Sequence, residues 1–521
     1  MFHQSFDKRT VFLPDAGRSM GVHVMAGKGS GKSRLLGRFL GWQDFIAGVP
    51  LVIFDPQGGT IDNFLDKLVS LDARTQRKLA KRIVYVDMRA NDEYVVPFPL
   101  YYQNDERDRL FDIARRYLLA VAKLDPDLRR NPRVGLNALM EVGEYVGIVL
   151  KALGCQITEA IDLLDRPQVW LPRLERLAKE QPQMEIVKAV AYFRDIYLPL
   201  SKLPQQKSFA VDSFRTKLIP FTLDEPSSAM FGASEPGISW KDVVDRQLAV
   251  LLDFRGEYSD HDRIRFKNLW VFTTLMEFLK SRGFAGREKP VSVIVDELTY
   301  LLSLDPRHTE LLAADFDELI NRVARNYGVW VTLCHQELYQ VPEAIQKHLM
   351  TMGTQIIGKT TEPETALFLA ERFFAFDPWW VKKTEPVYMG DHGVAHVIDE
   401  RKVEFTIQEQ LQIRSRWFLN LPPQHFYAAI AEREGAVGTT LRRVRIERFD
   451  KGQYPDEAVI SQARSILLRR SGRPMQEVLD EISARQNAVL SPGIRGDTIP
   501  YNVPSSSVSI TEETQDEDVY E

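Results

Sequence analysis

Cysteine is nearly missing from this chain: 521 residues contain two, Cys155 and Cys334, far apart and without partners at metal-ligand spacing. That excludes a disulfide framework and fits a reducing compartment. Long apolar runs are missing as well. The longest candidates, such as Tyr145 to Leu150, are cut off at Lys151, far short of the roughly 20 residues that cross a bilayer. Asp7, Lys8 and Arg9 likewise interrupt the N-terminus before an apolar signal core forms. The expectation is therefore a protein without a span of its own. Nor is there a surplus of one charge: 67 basic against 72 acidic side chains leave −5. Any contact with nucleic acid must come from local patches rather than from a global field.

What the chain does carry is concentrated first in Ala26-Gly27-Lys28-Gly29-Ser30-Gly31-Lys32-Ser33, which joins the apolar run Val22 to Met25 to an amphipathic run from Arg34. This is a phosphate-binding P-loop in strand, loop, helix context. The glycines let backbone N–H groups turn inward around an anion, Lys32 reaches the β- and γ-phosphates, and the Ser33 hydroxyl holds Mg²⁺. Leu35, Leu36, Phe39, Leu40 and Ile46 follow at helical spacing, so the phosphates also meet a helix N-terminus. A second site lies at Val291 to Val295, a β-branched run of the kind buried in parallel sheets, which ends in Asp296-Glu297. Asp296 suits the water shell of Mg²⁺, and Glu297 suits the polarisation of an attacking water. His392 and His396 stand isolated and read as surface or packing residues, so no metal beyond nucleotide-bound Mg²⁺ is indicated.

Short apolar runs alternate with helical patterns at Thr10 to Leu13, Val22 to Met25, Leu51 to Phe54, Ile83 to Val86, Leu248 to Leu252, Val291 to Val295, Val329 to Leu333 and Gln355 to Ile357. The alternation predicts an α/β domain with a mostly parallel sheet, whose ligands sit at strand ends. Asp55-Pro56-Gln57-Gly58-Gly59 and Asp253-Phe254-Arg255-Gly256 follow two of these strands, and with Asp296-Glu297 they suggest one shared edge. Between about Asp105 and Glu235 only helical periodicity remains, which predicts an inserted all-α domain. Its basic residues Arg129, Arg130, Arg133, Lys202, Lys207, Arg215 and Lys217 fit a phosphate backbone and fit solvated helix faces equally. Beyond the core, Leu441 to Arg448 alternates basic and apolar residues like an edge strand with a cationic face. A helical segment from Asp456 to Arg485 carries Arg464, Arg469, Arg470 and Arg473. From Ser491 the chain turns Pro-, Gly- and Ser-rich and ends acidic, the signature of a disordered tail. The resulting division is 1–104 with 236–430 as a discontinuous nucleotide-binding core, 105–235 as the helical insertion, 431–490 as a strand and helix extension, and 491–521 as the tail.

Arg322, Arg325 and Asn326 lead into the run Val329 to Leu333, which ends at Cys334-His335-Gln336. An amide at the tip of the strand beside the Asp296-Glu297 strand senses the γ-phosphate or its water without adding charge, which makes Gln336 the candidate and His335 a bystander. An arginine just ahead of that strand could reach across a subunit interface. The order of these motifs resembles the HerA/FtsK superfamily of ring-forming DNA-pumping ATPases, and within it the coupling proteins of type IV secretion in conjugation. The resemblance rests on Ala26 to Ser33, Asp55-Pro56-Gln57-Gly58, Pro220 with Asp224-Glu225-Pro226, Val250 to Phe254, Asp296-Glu297, and Arg325-Asn326-Tyr327-Gly328 leading to Gln336. It spans roughly residues 10 to 430.

That resemblance implies a RecA-like P-loop core, ATP and Mg²⁺ as nucleotide and cofactor, a homohexameric ring, and Arg325 as a finger acting in trans, with Arg322 next. It also implies DNA, single- or double-stranded, as the track, and a membrane-anchored or relaxosome-type protein partner. Two departures are plain: the transmembrane helices usual in coupling proteins and the N-terminal β-barrel usual in HerA proteins have no counterpart in this sequence. The expected setting is the cytoplasm, peripheral at the inner face of the membrane through a partner. Three functions fit: an ATP-driven DNA translocase, an ATPase that loads protein substrates into a secretion channel, and a nucleotide-dependent binding scaffold. The set Lys32, Asp296, Glu297 and Gln336 speaks against the last, since an inert switch has no need of a water-polarising glutamate.

Overall fold

In the computed structural model of the chain, residues 11–89, 93–103, 108–124, 136–201, 209–222, 224–255, 261–300, 316–391, 394–433, 437–438, 440–446 and 456–490 are described. The apolar runs become the strands of one sheet. β1 (Val22–Met25), β2 (Leu51–Asp55), β3 (Ile83–Asp87) and the short β4 (Tyr94–Val95) precede a long helical stretch. β5 (Ala249–Asp253), β6 (Val291–Val295), β7 (Val329–His335) and β8 (Thr354–Ile357) follow it. β9 (Val381–Asp391) and β10 (Val394–Glu404) form a separate hairpin, β11 (His425–Ala429) and β12 (Leu441–Arg445) return to the sheet, and β13 (Arg473–Pro474) pairs with β4.

The nine-stranded sheet runs β12-β11-β8-β1-β7-β6-β2-β5-β3. From β8 to β3 every neighbouring pair is parallel, and β11 and β12 add antiparallel at one edge. β1, β2, β5, β6 and β8 are buried at every position. Helices cover both faces of such strands, which is why the runs are continuously apolar rather than alternating. The close approach of the first core helix pair is set by Gly37, where a Cβ would collide with the Thr60 carbonyl. That contact seats the helix after the P-loop directly on the helix Gly59–Val69.

Between residues 110 and 232 the described residues are helical and contribute no strand. Helix Leu136–Ala152 lies against Leu110–Leu124 and Phe209–Thr222. Gly143 and Gly147 bring these backbones together, since a Cβ at either would press on Leu118 or Ala114. At the C-terminal side, helix Glu457–Ser471 lies against β3 and helix Gly59–Val69, and helix Met475–Leu490 lies against helix Glu225–Gly232. Buried Arg485 ties the last contact, donating to Glu159 at 3.1 Å and to the Gly232 carbonyl at 2.6 Å.

Several expectations are revised. Residues 11–14 form no strand: Pro14 fixes the extended N-cap of helix Asp15–Ser19, while Thr10 lies outside the described residues. The helical segment from Asp456 to Arg485 is two helices, separated where Gly472 ends the first and Arg473–Pro474 pairs with β4. The expected edge strand ends at Arg445 rather than Arg448, with residues 447–455 outside the described part. The acidic tail, residues 491–521, also lies outside it. The hairpin β9–β10 has no antecedent in the sequence reading.

One polar pair sits inside the sheet. His23 on β1 and His335 on β7 stack with ring centroids 4.9 Å apart and Nε2 atoms 2.8 Å apart. Gln355 Nε2 donates to the carbonyls of Leu349 and Met352, so its Oε1 faces His23 Nδ1 at 2.6 Å and accepts from it. Burial lowers the His23 pKa to about 4, the Gln355 hydrogen bond opposing and Arg372 adding. Burial likewise takes His335 well below the usual histidine value, with His23 adding to the effect. In acid the unfolded chain therefore binds protons that the folded chain refuses, and stability falls as pH drops from about 6.5 towards 4, by about 1.4 kcal/mol per unit for each histidine. Urea unfolding from pH 7.5 to 5 should show this slope, and His23→Gln should flatten it; equal slopes in both proteins would contradict the assignment.

Candidate functional site

The P-loop is pinned before it turns. The Ala26 N–H donates to the His335 carbonyl at 3.2 Å and the Gly27 N–H to the Lys359 carbonyl at 2.8 Å, so its start is held between the ends of β7 and β8. Gly29 and Gly31 take φ of 79° and 97°, a left-handed conformation in which a side chain would be strained. Lys28 and Gly29 form the exposed apex, and Ser30 is buried behind them. The helix begins at Lys32, with Ser33 in its first turn. From outside, the Gln424 N–H donates to the Ser30 carbonyl at 2.7 Å. Gln424 is one of three non-glycine residues with positive φ among the described residues.

β7 lies between β1 and β6, so the P-loop and the acidic pair are two strands, about 10 Å, apart. The Lys32 side chain crosses that gap. Its Nζ lies 2.9 Å from Glu297 Oε2 and 3.2 Å from Asp296 Oδ1. Gln336, at the tip of the intervening strand, donates from Nε2 to the same Glu297 oxygen at 2.7 Å. Thr299 Oγ1 donates to Glu297 Oε1 at 3.2 Å. Glu297 itself takes φ of 59°, a conformation that costs a non-glycine residue of order 1 kcal/mol and recurs at functional sites. Lys32, Asp296, Glu297 and Gln336, singled out far apart in the sequence, are thus one cluster.

Burial works against the Lys32 charge, but the surrounding Cys334, Asp296 and Glu297 outweigh it and raise the ammonium above its ordinary value. Burial drives the Cys334 thiol well above its own usual range; it therefore stays neutral, and the two carboxylates supply the field. Asp296 Oδ1 accepts no hydrogen bond, and Ser30 Oγ is buried without a hydrogen-bond partner. Buried polar atoms left in this way beside a paired lysine are what a phosphate and its cation would satisfy. Ser33 and Asp296 fit the holding of Mg²⁺.

The three strand-end acids expected on one edge have different surroundings. Asp55 accepts four backbone N–H groups, from Gln57, Gly58, Thr60 and Ile61. Burial and the nearby Asp296 nevertheless push its carboxyl up to about 7. It shapes the turn after β2. Asp253 accepts from Tyr85 Oη at 2.8 Å and from Arg255 Nε at 2.7 Å. Thr60, passed over in the sequence, donates from Oγ1 to Asp296 Oδ2 at 2.6 Å. The Gly58-Gly59 pair before it was the one available signal.

Arg325 is not brought to this cluster. It precedes β7, and seven residues of strand, about 20 Å, separate it from Gln336. Its Nε is buried without a hydrogen-bond partner. Arg322, on the turn before, lies 3.9 Å from Glu318. Several basic residues noted in the sequence have partners within the chain: Arg215 with Asp165 and Arg442 with Glu432 in exposed pairs, Arg464 with Asp62, Arg473 with Glu477 and Glu481, and Arg470 with the Ile83 carbonyl. Arg129, Arg130, Arg133, Lys202, Lys207 and His392 lie outside the described residues.

No family model and no curated protein matches the chain. Among solved structures, the bacterial conjugative coupling protein TrwBdeltaN70 in its unbound form is similar at 15% identity, over 85% of this chain and 88% of that one, with a TM-score of 0.49. VirB4 of Thermoanaerobacter pseudethanolicus is similar at 12% identity over 83% and 91%, with a TM-score of 0.44. The genome packaging NTPase B204 from Sulfolobus turreted icosahedral virus 2 is similar at 15% identity over 40% and 72%, with a TM-score of 0.22. All three are distant likenesses. Among the described residues no helix is long and apolar enough to cross a membrane.

Removing one member of a buried ion cluster leaves the others uncompensated, at a cost of about 3 kcal/mol. Lys32→Ala should therefore lower unfolding stability by about that amount. Adding Glu297→Gln should recover part of it by leaving one carboxylate instead of two. Strict additivity in the denaturation cycle would show that the two side chains do not interact.

Proposed function

We propose that this chain is a Mg²⁺-dependent ATP hydrolase that works as a ring-forming motor on DNA, in conjugation or a related mobile-element transfer. The observation that carries the hydrolase reading is the convergence of Lys32 and Gln336 on one oxygen of Glu297. In the nucleotide-bound state Lys32 turns to the β- and γ-phosphates, which frees Glu297. Glu297 then accepts a hydrogen bond, and finally a proton, from the water that attacks the γ-phosphorus. Gln336 keeps the carboxylate and that water in register with the phosphate. Ser33 and Asp296 would hold Mg²⁺, which would supply charge neutralisation to the nucleotide phosphates.

The ring reading draws on Arg325. About 20 Å of strand separates it from its own Gln336, so a charge on the γ-phosphoryl group would meet the Arg325 of a neighbouring copy instead. The DNA reading draws on the motif order and its family resemblance, with a partner protein providing attachment at the membrane. Contact would be to the phosphate backbone and sensitive to salt.

Steady-state ATP hydrolysis should be stimulated by single-stranded or duplex DNA at low salt, fall at moderate salt, and disappear in Lys32→Ala and Glu297→Gln. Hydrolysis indifferent to DNA would favour protein loading over DNA movement. Arg325→Ala should lose about 10³ in rate, and an equimolar mixture with Lys32→Ala should regain activity at interfaces that pair an intact P-loop with an intact Arg325. Absence of that recovery would place the arginine outside the catalytic interface.

A further inference from the structure

The turn after β2 touches both residues assigned to the metal, and Arg255, which clamps it, shares Asp62 with a residue from the far C-terminal side of the chain. Thr60 holds Asp296 Oδ2 at 2.6 Å. A Cβ at Gly59 would stand 3.4 Å from Ser33 Oγ, so the turn lies directly on that hydroxyl. Four backbone N–H groups around Asp55 give the turn one shape. From the other side Arg255 donates to the Gly58 carbonyl at 2.9 Å, and a Cβ at Gly58 would run into its guanidinium.

Arg255 is fixed in turn by two acids. Asp253, with its side chain 1% exposed, takes Nε, and Asp62, in the first turn of helix Gly59–Val69, takes Nη1 and Nη2, each at 2.8 Å. Asp62 has a second cation: Arg464 Nη1, on helix Glu457–Ser471, lies 2.6 Å from Oδ1. The Arg464 side chain is 15% exposed, like Arg255 at 18%, so these charges are largely shielded from water and salt. The sequence separation of 402 residues between Asp62 and Arg464 makes this a long-range closure rather than a local pair.

We propose that Thr60 is the positioning residue for Asp296, and that Arg464 of the C-terminal helix completes the Mg²⁺·nucleotide site by bracing the Asp62, Arg255 and Gly58 chain that holds Thr60 in place. This rests on the nucleotide reading above. The network aims the Asp296 carboxylate: Thr60 occupies Oδ2, and Oδ1, which faces Lys32 at 3.2 Å, is left for the cation's water shell once Lys32 turns to the phosphates. Loss of Thr60 Oγ1 frees the carboxylate to rotate. Loss of Arg464 leaves Asp62 with a single partner and lets the Arg255 clamp shift with it. Orienting partners of this kind are worth about tenfold or more in metal affinity.

The test is binding of a fluorescent ADP analogue to the full chain, with Mg²⁺ and with EDTA, alongside Mn²⁺ titration followed by electron paramagnetic resonance in the presence of ADP. The variants are Thr60→Val, Thr60→Ser, Arg464→Ala and Arg464→Lys. Thr60→Val and Arg464→Ala should keep the EDTA affinity and lose about tenfold in Mn²⁺ affinity. Thr60→Ser should retain it, and Arg464→Lys should recover part. Thermal unfolding separates this from a folding defect; if Arg464→Ala does not fold, the comparison of Thr60→Val with Thr60→Ser still decides the Thr60 claim and Arg464→Lys the Arg464 claim. Unchanged Mn²⁺ affinity in folded variants, with normal nucleotide binding by the unsubstituted protein, overturns this proposal alone. Failure of the unsubstituted protein to bind nucleotide in either condition overturns the underlying reading with it.

Discussion

The Lys32 ammonium is the charge about which the rest of the site is arranged. It leaves the P-loop, crosses the end of β7 and meets both Asp296 and Glu297. Two carboxylates side by side in a buried place repel each other, and the ammonium that meets both offsets that repulsion. The sheet order makes the encounter possible. With β7 between β1 and β6, the lysine has room to lie over the intervening strand, and that strand contributes Gln336 at its tip.

Around this centre the parallel strands deliver their C-terminal ends to one edge, and each end was given different work. The end of β2 became a turn organised by Asp55, the end of β5 an anchor for Arg255, and the end of β6 the acidic pair that meets Lys32. The antiparallel edge strands contribute from the other side through the Gln424 contact to the Ser30 carbonyl. The P-loop is therefore gripped by both edges of its surroundings while its apex at Lys28 and Gly29 stays open.

The sequence was most legible where burial is complete. Val291 to Val295 and Val22 to Met25 are strands because a strand covered on both faces must be apolar throughout, and the P-loop is legible because its glycines and lysine stand in fixed order. Legibility failed where local pattern and tertiary context part company. Val11 to Leu13 is apolar but runs into Pro14, which opens a helix. The hairpin β9–β10 has charged residues such as Lys382, Lys383, Glu400 and Arg401 along its strands and no simple apolar alternation to betray it. Arginines such as Arg464 and Arg215 look like surface charge in one dimension and turn out to be partners of particular acids. Thr60 had only the Gly58-Gly59 pair before it as a signal, and a hydroxyl after two glycines is common in turns while its acid lies 236 residues away.

Glu297 sits in the left-handed region of backbone space at φ of 59°. A glycine there would relax the backbone by up to about 1 kcal/mol, yet it would delete the carboxylate on which Lys32 and Gln336 converge. The relief is smaller than the roughly 3 kcal/mol at stake when a buried ion cluster loses a member, and Lys32, Gln336 and Thr299 would all lose their shared partner. Even a library selected for thermal resistance alone would therefore keep a strained glutamate at 297, because the side-chain contacts outweigh the backbone.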